Sequence, residues 1–172
     1  MSYTLDEFAA DIRSSLKEDA GAAGIEAVRV LTEKAVSDPK FVQEFLGPQN
    51  TKKRSVLYED PELGFCICTH VGEGKDEKGP PPHNHGTTWA IYGQAVGTTT
   101  MTDWKILEPA EDDRPGLVEP IETYDLTPGK ARAYDVGFVH SPTRGGATRF
   151  LRIEGENLDH VAGRATYKPA GA

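Results

Sequence analysis

Cysteine is nearly absent: only Cys66 and Cys68 occur in 172 residues, too few for a disulfide framework or a four-cysteine zinc site. In an extended segment the two would share a face with parallel Cβ vectors, a poor geometry for bridging each other. They read as small core residues, although His70 on the same face keeps a metal-ligand reading open. Long apolar runs are also missing. No stretch approaches the ~18–20 residues that span a bilayer, and hydrophobic residues make up 37% with a mean hydropathy of −0.50, which rules out a membrane protein. Basic charge is not in excess, since 19 Lys plus Arg stand against 27 Asp plus Glu for a formal net charge of −8. With no basic run either, a nucleic-acid partner is not expected. The first residues, Met1 to Glu7, lack the basic and apolar regions of a secretory signal, so a cytoplasmic location is expected. No G-x-S-x-G elbow is present, which sets a nucleophilic hydrolase aside.

What is present divides in two. Thr4-Leu5-Asp6-Glu7 has the form of a capping box and is followed by Phe8, Ile12 and Leu16 at helical spacing, which predicts an amphipathic helix. A second stripe, Ile25, Val28, Leu31 and Val36, leads to Asp38-Pro39, where Asp38 can cap a short helix carrying Phe41, Val42 and Phe45 before Gly47-Pro48 ends it. From there the chain turns to short segments rich in Val, Ile, Tyr, Thr and Phe: 55–58, 64–71, 87–92, 98–107, 117–126, 130–136 and 148–154. With 18 Gly and 12 Pro and connections too short for crossover helices, these predict an antiparallel barrel or jelly roll. The expectation is one all-β domain over residues 1–172, with a helical N-terminal cover at 1–47 and a β-barrel at 54–172. The segments 72–79 and 108–115 read as flexible loops.

His83-Asn84-His85 sits where Pro80-Pro81-Pro82 hands over to the strand expected from Thr87. In an extended chain residues two apart face the same way, so both imidazoles can reach one metal ion. An H-x-H pair alone is weak. A second segment, Gly129 to His140, reads as turn, strand, tight turn and a histidine on the next strand. It resembles the second conserved segment of the cupin superfamily, with Asp135 in the usual proline place. The first cupin segment, an H-x-H pair followed by Glu and then Gly, is present in part as His83, His85, Ala90 and Gly97. The resemblance implies a double-stranded β-helix.

Where most metal cupins add a Glu ligand, Trp89 or Ala90 stands here, leaving three neutral imidazoles: His83, His85 and His140. That set keeps the full 2+ charge of an ion, leaves about three positions open in an octahedral ion, and suits Fe, Ni, Cu or Zn. It is the set associated with the cysteine dioxygenase-like (thiol dioxygenase) branch. Pro82-His83-Asn84-His85-Gly86 with Trp89-Ala90-Ile91-Tyr92-Gly93 is similar to the P-x-H-x-H and W-A-V-x-G run of bacterial members. Asp38 to Val42 and Leu57-Tyr58 are similar too, so the resemblance runs from the N-terminal helices to Tyr167. It implies Fe(II), with Zn, Ni or Mn as alternatives, acting on a small anionic thiol or other chelating substrate together with O2.

The departures matter. Cysteine dioxygenases carry a relay with His and Tyr on a late strand, whereas this strand reads Phe150-Leu151-Arg152-Ile153-Glu154, with Arg152 in the His place and Glu154 in the Tyr place. By alternation Phe150, Arg152 and Glu154 share one face. Facing solvent, the charged two form a surface ion pair of little energy. Facing inward, Arg152 becomes a carboxylate fork and Glu154 a general acid or base. Arg54 lies near the family's substrate-gripping Arg, but Lys52-Lys53-Arg54 also reads as a solvated basic run. Trp89 and Tyr92 read as core packing or as a substrate platform, Trp89 sharing parity with His83 and His85. His70 and His160 read as packing or surface histidines. Two functions are expected from this: a mononuclear non-haem dioxygenase, or a non-catalytic or non-redox cupin binding a small ligand. A homodimer through an edge strand or the helices is the expected assembly.

Overall fold

The computed structural model describes residues 3–74, 77–111 and 114–171. Parts of both expected flexible loops, at 75–76 and 112–113, lie outside them. Three helices come first: α1 (Leu5–Glu18), α2 (Ala22–Ser37) and α3 (Pro39–Leu46). The capping box forms as expected, with the Glu7 N–H donating to Thr4 Oγ1 at 3.2 Å and the Thr4 N–H to Glu7 Oε2 at 2.9 Å. Asp38 caps α3 and ties it to Tyr3 ahead of α1. Its Oδ1 accepts from the Lys40 and Phe41 N–H groups at 2.8 and 3.2 Å, and its Oδ2 from Tyr3 N–H at 2.8 Å.

Among the described residues ten strands follow: β1 (Arg54–Glu59), β2 (Cys66–Gly72), β3 (Glu77–Lys78), β4 (Ala90–Val96), β5 (Thr99–Glu108), β6 (Gly116–Leu126), β7 (Ala131–Tyr134), β8 (Val139–Arg144), β9 (Thr148–Glu154) and β10 (Tyr167–Pro169). They build two five-stranded sheets, ordered β1-β2-β9-β4-β7 and β10-β6-β5-β8-β3. The pairing is antiparallel except between β10 and β6. Each sheet is assembled from strands distant in sequence, and the interleaved order is that of the double-stranded β-helix. Among the described residues no helix is long and apolar enough to cross a membrane.

Alternation sorts the first sheet into two faces. Ile67, Ile91, Leu151 and Ile153 point outward and pack with Phe8, Ile12, Val28, Val36 and Phe41 of the helices. The helices come close at Gly93, where an added Cβ would lie 2.5 Å from Thr32 Cγ2. The opposite face, Cys66, Cys68, His70, Phe150, Arg152, Glu154, Ala90, Tyr92 and Tyr134, lines the barrel interior, as the register Cys68↔Arg152 and Tyr92↔Arg152 requires. The second sheet contributes Met101, Asp103, His140 and Pro142, from the pairs Asp103↔His140 and Met101↔Pro142. Its outer face is polar, with Thr100 bonded to Asp125 and Thr102 to Thr123.

Two expectations need correction. The strand predicted from Thr87 begins only at Ala90, because Gly86 at φ 69° turns the chain first. That turn breaks the parity argument for Trp89, which packs with the core under the helices and is not among the residues lining the cavity beside the histidines. The strand predicted over 130–136 ends at Tyr134, since Asp135 to Phe138 close a turn with Phe138 N–H donating to Asp135 O at 3.0 Å.

Candidate metal centre

His83, His85 and His140 come together at one end of the barrel interior, with their ligating nitrogens within 4.8 Å of one another. Backbone pairing makes this happen. His83 and His140 form an isolated antiparallel bridge with reciprocal N–H to C=O bonds of 3.0 Å. The extended dipeptide step then places His85 on the same side, buried at 1% exposure. Ring centroids lie 5.0 Å apart for His83 and His140 and 4.8 Å for His85 and His140.

The ring nitrogens behave as a ligand set. His83 Nδ1–H donates to Pro81 O at 2.9 Å, which fixes the tautomer and leaves the Nε2 lone pair for an ion. His85 Nδ1 and both ring nitrogens of His140 are buried without a hydrogen-bond partner among the described residues, an expensive condition that an ion would relieve. Burial lowers all three imidazole pKa values, with Arg152 adding to it. His85 falls to about 3 and His140 goes well below its usual range. All three are therefore neutral at pH 7, the form that binds metal. The residues fit a mononuclear metal ion held by three imidazoles.

A second buried group, Cys66, Cys68 and Glu154, also brings ligand-type atoms within 4.8 Å. Its carboxylate is already committed. Glu154 Oε2 accepts from Arg54 Nη2 at 2.9 Å and Leu158 N–H at 2.8 Å, and Oε1 from Arg152 Nε at 2.6 Å. Two guanidiniums beside it repel a further cation, so the cysteines remain core residues.

Arg152 and Glu154 thus face inward, which decides between the two readings of their strand. Glu154 is fully buried and does not line the cavity. Burial pushes its pKa up, but Arg152, the Leu158 N–H and Arg54 outweigh burial and hold it below the usual carboxylate range. An ionised, fully bonded carboxylate has no proton to give and no lone pair aimed at the cavity, so the expected acid–base role is corrected to a positioning one. Arg54 is likewise engaged with Glu154, Asn157 and Asp159 and does not reach the cavity. Its expected substrate grip is corrected to support of Glu154. Tyr92 does line the cavity. Its hydroxyl sits 3.2 Å from His85 Nε2 and 3.3 Å from Arg152 Nη1.

The cavity holds about 490 Å³ and is lined by Lys53, Arg144, Arg152 and Arg164, by the rings of His70, His83, Tyr92 and Phe150, and by no carboxylate among the described residues. A cationic pocket in a chain of net charge −8 selects anions. Sequence reasoning missed Arg144 and Arg164, which sit at a strand end and on a loop with no motif to mark them, and read Lys53 only as part of a solvated basic run, whereas it lines the cavity. His70, set aside as a packing residue, stacks on Phe150 at 4.9 Å and 4°; period-2 alternation with Cys68 was its signal. It also missed the packing behind His140. The Tyr134 ring lies 3.9 Å from the His140 ring, Tyr134 and Tyr124 hydroxyls are 2.6 Å apart, and Asp103 accepts from Tyr124 at 3.1 Å and from Arg132 at 2.9 Å.

Comparison with known proteins gives no match to any family model and none to a curated protein. Solved structures do align. An uncharacterised protein with a double-stranded β-helix domain from Klebsiella pneumoniae subsp. pneumoniae MGH 78578 is 17% identical, with TM-score 0.47 over 74% of this chain and 88% of its own. A cupin-2 domain protein from Shewanella frigidimarina NCIMB 400 is 15% identical, with TM-score 0.45 over 66% and 89%. An oxalate oxidase is 13% identical, with TM-score 0.46 over 68% of this chain and 56% of its own. The strand order of the two sheets of this chain is that of a double-stranded β-helix.

Proposed function

We propose that the protein is a mononuclear non-haem metal-dependent dioxygenase of the cysteine dioxygenase-like type, acting with O2 on a small anionic substrate that chelates through a thiolate or oxygen. One observation carries the reading: three neutral imidazoles converge with unpartnered buried nitrogens at the inner end of a cationic cavity. Fe(II) is the metal this reading favours, with Zn, Ni or Mn as alternatives. A bound redox metal would offer open positions for substrate and O2 and mediate electron transfer between them, the substrate being the species oxidised.

The chain's own residues supply the rest. Arg152 presents its guanidinium to the cavity while Glu154 anchors the other side of it, so a substrate carboxylate meets a fixed fork. Tyr92 Oη, between His85 and Arg152, is the hydroxyl placed to hold or move a proton at the substrate. It stands in for the relay tyrosine that Glu154 replaces in sequence. Phe150, His70 and Pro142 narrow the cavity and exclude water from its wall. A second reading, a non-redox cupin that binds a small anion, is favoured by the immobilised Glu154, which leaves Tyr92 as the sole phenol lining the pocket among the described residues. Oxygen uptake by the iron-loaded protein across a panel of mercapto acids and hydroxy acids separates the two. Turnover that is lost in Arg152→Gln supports the enzyme; binding of the same acids without O2 consumption supports the second reading.

A further inference from the structure

The cavity is longer than a single carboxylate needs, and its cations are not all at the metal end. Arg152 is opposite Cys68 on β2. Lys53 is level with Val71, whose N–H donates to Lys53 O at 3.0 Å. Three residues of strand separate those levels, about 10 Å at ~3.3 Å per residue. Arg144 stands at the same distal end, its guanidinium 4.9 Å from the centre of the Phe150 ring. Its charge is felt by both His70 and His140. Between the two cationic ends runs a wall of rings, His70 on Phe150 at 4.9 Å and Phe150 on Tyr92 at 5.6 Å, both near parallel. One guanidinium at the inner end, an apolar wall and two cations at the distal end form a template for a molecule with acidic groups at both ends.

We infer that the cavity takes an elongated dianion, a dicarboxylate or an acid of equivalent charge, with one acidic group held by Arg152 beside the histidines and the second by Lys53 and Arg144 at the distal mouth. The assignment rests on the small-anion reading above and narrows it. A monoanion of the same length meets only the inner end and gains nothing from Lys53 and Arg144. A charged group placed between two cations gains charge-assisted hydrogen bonds that the monoanion cannot make. The Phe150 and His70 rings accommodate the methylene or planar body between them.

The test is calorimetric binding of glutarate against butyrate, which share a carboxylate and differ in the second one, at low ionic strength, to protein with and without reconstituted zinc. Glutarate is expected to bind about tenfold or more tightly than butyrate. Lys53→Ala is expected to remove that advantage, and Arg152→Gln to weaken both acids. Equal affinities in the unaltered protein, absence of glutarate binding at about 10 mM, or a glutarate preference that survives Lys53→Ala overturns the inference. Because the comparison is also made without metal, a protein that prefers glutarate but never retains an ion refutes the metal-centre reading and leaves this one standing.

Discussion

Glu154 accepts hydrogen bonds on both carboxylate oxygens, from Arg54, Arg152 and the Leu158 N–H, while fully shielded from solvent. Two arginines from different strands are thereby oriented by one anion, and only Arg152 goes on to face the cavity. Removing the anion leaves two guanidiniums in a site of low polarity. Glu154→Ala is expected to destabilise the fold by about 3–5 kcal/mol, read as a lower urea midpoint. A loss under about 1 kcal/mol would show that the pair is solvated after all. Asp60 provides a second test at this scale. Burial opposes its charge, but the Leu63 and Glu62 N–H groups, Arg13 at 2.7 Å and Tyr58 overcome burial and depress its pKa to about 2. A depressed carboxylate contributes stability above its unfolded pKa near ~4 and loses it as pH falls through the folded value. Stability of the native protein is expected to fall between pH ~4 and ~2, and that portion of the fall is expected to vanish in Asp60→Asn. An unchanged profile in the variant would contradict it.

At the scale of elements, the helical cover sits tightly on the first sheet because Gly93 of β4 has no side chain where Thr32 and Val36 of α2 approach. Gly93→Ala is expected to cost roughly 1–3 kcal/mol from overpacking, measured as a drop in thermal midpoint; no drop would mean that α2 moves away freely. This paired surface was legible in the sequence in part. The helical stripes through Phe8, Ile12, Val28 and Phe41 and the strand alternation through Leu151 and Ile153 are strong periodic signals, and the structure packs them against one another. The interior face of β9 was legible as a face but not as inside or outside, since Arg152 and Glu154 are charged and only the pairing with Cys68 and Tyr92 settles it. Trp89 was misread because parity carries across an extended chain and fails across the positive-φ turn at Gly86. Arg144 and Arg164 could not be read at all, and Lys53 was read only as part of a solvated basic run. They meet only through the closing of the barrel, and no local pattern encodes that.

The whole molecule sets a cationic, ring-walled cavity in a chain of net charge −8. The interior is closed behind His140 by the Tyr134, Tyr124 and Asp103 network and opens past Arg152 toward Lys53 and Arg144. Anion entry is therefore expected to be salt-sensitive, because exposed cations steer ligands only within a Debye length of ~10 Å at 0.1 M salt. The dioxygenase reading depends on the three imidazoles of His83, His85 and His140 holding one ion. The most direct measurement is metal content by mass spectrometry on anaerobically purified protein, with His140→Ala alongside. The predicted result is close to one metal ion per chain in the native protein, iron on the dioxygenase reading, and none in the variant. No metal in either protein, and none retained after reconstitution, would contradict it.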